Sequence, residues 1–177
     1  MANRLWSDAD FAIGTLEQAD RQTLHRLRVR LGPLDVFVSP LLKPAAQQWR
    51  GALLAVRTNQ TMPALAAAGA ATLTGDADPR GASLAYRRLG QEWLRIDLAD
   101  RLASHAHKVR SAGGDEPLDA ALATSVGLSE QGIDRLMDEI GFTKAGEAWR
   151  WRGRRHHRPD RRGPSSNAFA ELAKLKR

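Results

Sequence analysis

Cysteine is absent from all 177 positions of the sequence, and its absence excludes several kinds of chemistry. A chain without cysteine has no disulfide framework, no thiolate nucleophile and no zinc site built on sulfur. The same absence is compatible with a reducing compartment, so we expect a cytoplasmic protein.

Long apolar segments are also missing. The opening MANRLWSDADFAIG has one arginine followed by acidic residues and no apolar core, so we do not expect a signal peptide. No stretch approaches the roughly 18 uninterrupted apolar residues of a membrane-spanning helix. The most apolar run, LAAAGAATL, is short and rich in alanine and glycine. The sequence therefore predicts no membrane partner.

Negative charge is scarce at the C-terminal end. Residues 150–177 carry ten lysines and arginines against two acids, whereas residues 1–149 carry seventeen against eighteen. The whole net charge of +7 therefore belongs to the last 28 residues. A basic end on a nearly neutral body predicts a polyanionic partner, RNA or DNA.

Residues 1–110 are predicted to form a helical domain with one small β-hairpin near 28–38. A helix follows Thr15 as its N-cap, and the apolar period then switches to two around a Gly32-Pro33 turn. Pro44 opens a second helix, which has helically spaced apolar side chains at Trp49, Leu53 and Val56. After a loop over 59–81 we predict a short helix, a strand over 92–97 and a helix over 98–109. The fold class is therefore α+β, mainly helical.

Residues 117–153 are predicted to form a winged-helix-like module after the SAGGDEP boundary. A helix over 118–125 is followed by a turn at Gly127, and Ser129 caps a second helix that Gly141 ends. FTKAGEA then turns into the strand WRWR. This order of helix, turn, helix and hairpin is typical of winged-helix and helix-turn-helix modules. Residues 154–177 are predicted to be an Arg-rich linker and a short C-terminal helix.

Several stretches together suggest a family. The segments ADRQTLHRLRVRLGPLDVFVSPLLKPAAQQWRGALLAV, GLSEQGIDRLMDEIGF and FAELAKLK follow one another in this chain. Their order resembles the region after the motor core of bacterial superfamily II DExH-type helicases related to the mitochondrial degradosome RNA helicase. The resemblance implies an accessory region that binds nucleic acid beside an ATP-dependent motor.

The motor's own motifs are not present in this sequence. There is no G-x-x-x-x-G-K-[ST] loop to hold phosphates and no DExH box to hold Mg²⁺. No nucleophile motif is visible around Ser125, Ser129 or His105. We therefore expect a chain that is not an enzyme and uses no cofactor.

Metal binding is not expected either. His156 and His157 are adjacent and lie among arginines, and His105 and His107 would point about 200° apart on a helix. The GDADPRG loop lacks the later glutamate of a calcium loop.

The candidate binding residues are cations, because guanidinium groups stay charged and pair bidentately with phosphate. The nucleic-acid-binding candidates are Arg150, Arg152, Arg154, Arg155, Arg158, Arg161, Arg162, Arg135 and Lys144. Trp149 and Trp151 share one strand face, where they could stack on bases, but we favour packing against the module's own helices.

The sequence therefore predicts a non-catalytic nucleic-acid-binding accessory domain that holds phosphates through its C-terminal arm. The alternative is a protein-interaction scaffold that docks a helicase or nuclease. In that alternative the docking residues are Phe169, Leu172 and Leu175 of the C-terminal helix.

Overall fold

The computed structural model describes residues 16–153, and over this range the chain is α+β and mainly helical, as predicted. Its helices are α1 Gln18–Arg26, α2 Pro44–Thr58, α3 Pro79–Ala82, α4 Ile96–Ser111, α5 Ala120–Ser125 and α6 Glu130–Ile140. Its strands are β1 Val29–Leu31, β2 Val36–Val38, β3 Thr72–Leu73, β4 Tyr86–Leu89, β5 Glu92–Arg95, β6 Phe142–Ala145 and β7 Ala148–Trp151. Within the described range, no helix is both long enough and apolar enough to span a membrane.

The N-terminal hairpin lies where the change of period predicts it. Strands β1 and β2 pair antiparallel, with Val29 opposite Val38, around the Gly32-Pro33 turn. A 3₁₀ turn over Ser39–Leu42 then leads into α2, which has Pro44 in its first turn. Helix α1 begins at Gln18, and the predicted cap Thr15 lies outside the described residues.

A three-stranded antiparallel sheet in the order β3-β5-β4 follows, and part of it differs from the prediction. The prediction of a short helix between residue 82 and the strand at 92 was wrong, because β4 occupies that segment. The predicted loop over 59–81 instead contains β3 and the short helix α3, which Asp78 caps by accepting from the backbone N–H of Arg80. Strand β4 comes next, where no strand was expected, because Arg87 and Arg88 interrupt the apolar alternation. Strand β5 ends at Arg95, so α4 begins at Ile96, two residues earlier than predicted.

The main hydrophobic core joins the sheet to the C-terminal elements. Leu94 of β5, Leu102 of α4, Leu136 of α6 and Phe142 of β6 belong to one cluster and are at most 3% exposed. The predicted boundary after α4 is an exposed segment over 111–116. The chain on both sides of that segment therefore contributes to the same core.

Candidate nucleic-acid interface

The helices and hairpin of residues 117–153 form as their local signals indicate. Asp119 caps α5, and the Ser129 hydroxyl accepts from the Gly132 N–H to cap α6. Gly141 ends α6 with φ of 111°, a left-handed conformation that glycine adopts without steric cost. Helix α4 packs against α6, so three helices precede the β6–β7 hairpin.

The predicted cations divide into two groups. Arg135, Lys144, Arg150 and Arg152 lie within the described residues. The other predicted residues fall outside them: Arg154, Arg155, Arg158, Arg161, Arg162, Phe169, Leu172 and Leu175. The described part of the predicted interface is therefore the hairpin and the surface of α6.

Two of the predicted cations already have carboxylate partners on α6. Lys144 lies 3.4 Å from Asp134, and Arg152 is ion-paired with Asp138 one helical turn later. Arg152 also donates to the Asp138 backbone carbonyl at 3.2 Å. Surface pairs of this kind contribute only about 0–1 kcal/mol each, so phosphate can compete for both cations. Their charge is nonetheless balanced locally, which the sequence pattern did not reveal.

Arg150 and Arg135 are exposed but lie on different elements. Arg150 is opposite Thr143 in the hairpin, on the strand face away from Trp149 and Trp151. The stem of Arg135 passes over Gly90 in the β4–β5 turn, with Cγ 3.7 Å from the position of a Gly90 Cβ. Neither has an ion-pair partner among the described residues. The structure thus leaves these two charges, one on the hairpin and one on α6, without a carboxylate partner among the described residues.

The two tryptophans of β7 face the helices, but to different depths. Trp149 is half-buried and packs against the main core, with Lys144 5.7 Å from its ring centroid. Trp151 stays 38% exposed. It meets the rings of Phe142 and His107 edge-on, at centroid distances of 5.1 and 5.3 Å.

Arg110, at the end of α4, completes an aromatic and basic cluster that sequence reasoning missed. Its guanidinium carbon lies 4.2 Å from the centroid of Trp151, although the two residues are 41 positions apart. An exposed indole beside an exposed arginine can stack an unpaired base and meet its phosphate. No pattern among neighbouring residues of the sequence predicts a contact between residues so far apart. Residues Phe142, His107, Trp151 and Arg110 are called the Trp151 cluster below.

Metal ligation finds no support in the described residues. Between residues 16 and 153, no group of three or more histidine, aspartate or glutamate side chains could hold a metal ion.

A separate polar cluster ties the N-terminal hairpin to the core. Arg87 of β4 bonds to Asp35 at 2.7 Å and to Glu139 at 2.6 Å. Burial alone would lower the pKa of Arg87, but the two carboxylates outweigh it and raise the pKa. Asp100 of α4 is 5% exposed and lies 3.8 Å from Arg30. This arrangement ties the hairpin to β4, α4 and α6.

Asp100 is a member of this cluster whose buried carboxylate is only partly compensated. Its Oδ1 is buried and has no hydrogen-bond partner in the described residues. Burial raises the pKa of Asp100, Arg30 opposes that effect, and the nearby carboxylates of Asp35 and Asp97 reinforce it. A raised pKa means that the stabilising contribution of protonated Asp100 is present at low pH. That contribution is lost as the pH rises through the folded-state pKa.

Asp100→Asn is therefore expected to stabilise the fold at pH 7 by about 1 kcal/mol, because asparagine buries no charge. The difference in the free energy of unfolding between the variant and the original chain should grow between pH 4 and pH 7. Urea unfolding at several pH values measures it, with Asp134→Asn on the surface as a control expected to stay within about 0.5 kcal/mol. A variant less stable than the original at pH 7 would show that the Arg30 pair outweighs the cost of burial.

Comparison with known proteins gave no relatives: no family model, curated protein or solved structure matches this chain.

Proposed function

We propose that this chain is a non-catalytic accessory domain that binds RNA or DNA, as in a helicase-like protein. The observation that carries the proposal is the charge distribution. Residues 150–177 hold an excess of eight positive charges on a body that is otherwise nearly neutral. In this proposal the arginines after Gly153 supply affinity without sequence preference, because each phosphate contact releases counterions.

The Trp151 cluster supports a second contact in the same binding event. Trp151 is two residues before Gly153, so a strand held by the arm passes close to an exposed indole and Arg110. Stacking of an unpaired base is worth about 1–3 kcal/mol and is insensitive to sequence. Duplex bases are already stacked on one another, so the cluster favours single strands. The module then orients the strand that the arm retains.

A salt titration on matched single- and double-stranded RNA and DNA tests the proposal. If about five phosphates are engaged, log K on single strands should fall with log salt at a slope of roughly −3.5. Deleting residues 154–177 should flatten the slope and weaken binding to every nucleic acid by a similar factor. A flat response in the full chain, or unchanged binding after the deletion, would contradict the proposal.

Trp151→Ala separates the cluster from the arm in the same assay. The variant should bind single strands about tenfold more weakly, keep the salt slope, and lose little on duplexes. Trp49→Ala, which removes an exposed indole from α2, is the matched control and should bind as the original does. Equal losses in the two tryptophan variants would remove the cluster from the proposal.

A protein-interaction scaffold remains the alternative, with a helicase motor or nuclease docked through residues 165–177. Pull-down of purified candidates with and without those residues separates it from nucleic-acid binding. Nucleotide hydrolysis above background in the purified chain would contradict both functions.

A further inference from the structure

Helix α2 presents an apolar stripe that nothing in the described chain covers. Trp49, Leu53 and Val56 are 74%, 65% and 81% exposed. Their spacing of four and three residues places them on one side of the helix, over about 10 Å of its length. Isolated apolar residues on a surface are ordinary, but an aligned set with a tryptophan marks an interaction site.

A shallow groove borders the stripe on one side. It is lined by Gln48, Trp49, Ala52, Met62, Pro63 and Leu65. The segment that forms its far wall packs against α2 at Gly51. A Cβ at Gly51 would lie 3.4 Å from the Met62 Cε. The groove can therefore accept one apolar anchor from a molecule that lies along the stripe.

Helical spacing places Arg50 and Arg57 along the other side of the stripe. Lys43, Arg50 and Arg57 recur every seven residues, and residues 43–58 contain no acid. None of the three has an ion-pair partner among residues 16–153. The partner of Arg50 is the neutral Leu84 carbonyl, so no acid among the described residues balances its charge. Asp78, which accepts from the Ala64 N–H beside the groove, is already ion-paired with Arg80.

These charges select among the possible occupants of the stripe. In a second copy of the chain packed antiparallel on α2, Arg50 and Arg57 would face the same arginines of the copy, which repel. Residues 154–177 carry eight basic residues against two acids, so they are repelled too. An anionic lipid surface would attract the arginines, but it offers no ordered side chain to fill the groove. A complementary occupant has apolar side chains at helical spacing and carboxylates on one border.

We propose that α2 is a docking site for a helix of another protein, with an apolar face edged by glutamate or aspartate every seven residues. One large apolar side chain of that helix fills the groove, and its carboxylates meet Arg50 and Arg57. Helix-in-groove recognition reads anchors at this spacing. This site shares no residue with the Trp151 cluster, so it does not depend on nucleic-acid binding.

Two synthetic helical peptides test the proposal against the full chain. Both peptides have leucine at the a and d positions of each heptad. One border of this apolar face carries glutamate in the first peptide and lysine in the second. Fluorescence anisotropy of labelled peptide should show binding of the glutamate peptide and at least about tenfold weaker binding of the lysine peptide. Leu53→Glu should weaken binding of the glutamate peptide by about tenfold or more. Arg57→Glu should remove most of the preference for the glutamate peptide, because Arg50 then faces a carboxylate on its own border.

Matched surface changes elsewhere serve as controls. Leu27→Glu alters an equally exposed leucine next to α1, and Arg101→Glu reverses an exposed charge on α4. Neither should change peptide affinity.

Four outcomes would overturn the proposal. One is failure of both peptides to bind, or equal binding that Leu53→Glu leaves unchanged. Another is a sedimenting dimer that Leu53→Glu dissociates, which would make a second copy the occupant. A third is peptide binding only after residues 1–15 are deleted, which would make that segment the occupant. The last is binding to anionic vesicles that Leu53→Glu abolishes.

Discussion

Replacing Gly81 with alanine is expected to destabilise the fold by at least about 3 kcal/mol, a large effect for the addition of one methyl group. A Cβ at this position would lie 1.8 Å from the backbone oxygen of Ala64 and 2.9 Å from its carbonyl carbon. Contacts this short require the backbone to move, because no rotamer change relieves a clash with a main-chain atom.

The loop that would have to move is held from the other side. The Ala64 N–H donates to Asp78 Oδ2 at 3.1 Å, and Asp78 also caps α3 through the Arg80 N–H. The backbone bond from Arg80 is the largest of the causes that lower the pKa of Asp78, so this carboxylate stays ionised as an acceptor. Moving Ala64 away from α3 therefore costs hydrogen bonds as well as packing.

Gly51→Ala is the matched control, since both glycines lie in helices and both face the segment around residues 62–65. The nearest atom to a Gly51 Cβ is at 3.4 Å, an ordinary contact, and alanine favours a helix over glycine by about 1 kcal/mol. Chemical denaturation should therefore show a loss in Gly81→Ala and no loss, or a gain, in Gly51→Ala. Equal stability of the two variants would show that the loop over α3 moves freely.

Gly81→Ala should also weaken the proposed docking site. Ala64 lies between Pro63 and Leu65, which form part of the groove beside the α2 stripe. A displaced loop widens that groove while leaving Leu53 and Arg57 in place. The glutamate peptide should then lose affinity for the folded fraction of the variant, whereas nucleic-acid binding should not change.

The elements that the sequence predicts well are those set by neighbouring residues. The β1–β2 hairpin follows from alternation around Gly32-Pro33, and the bounds of α6 follow from Ser129 and Gly141. In each case the determining side chain or backbone angle lies within the element or next to it. Such signals act over three or four residues, so a pattern in the sequence captures them.

The features that the sequence does not predict depend on contacts between distant residues. Strand β4 pairs with β5 despite the Arg87-Arg88 interruption, because Arg87 finds Asp35 and Glu139 and can be half-buried. The Arg110 and Trp151 contact is equally remote along the chain. Periodicity predicted an apolar face on α2 but could not say whether the chain covers it. In the structure, the described residues leave this face of α2 uncovered.

The shared core leads to the last prediction. Leu94 lies on β5, before the predicted boundary, and Leu136 lies on α6, after it. Both side chains are fully buried in the same cluster. Leu94→Ala and Leu136→Ala are each expected to cost about 2–5 kcal/mol, because each leaves a cavity in a packed interior. Leu53→Ala on the exposed stripe should cost no more than about 0.5 kcal/mol.

The decisive observation is how many transitions each variant shows. In a urea titration, the indole signals of Trp93 and Trp149 report unfolding of the chain before and after the predicted boundary. If the chain has one core, both native signals should disappear at the same urea concentration. A fragment of residues 117–153 alone should then fail to fold, since it lacks Leu94 and Leu102. If Leu136→Ala unfolds the Trp149 region while Trp93 stays native, residues 117–153 are an independent module. In that case the nucleic-acid contacts of the hairpin could be studied apart from the docking surface on α2.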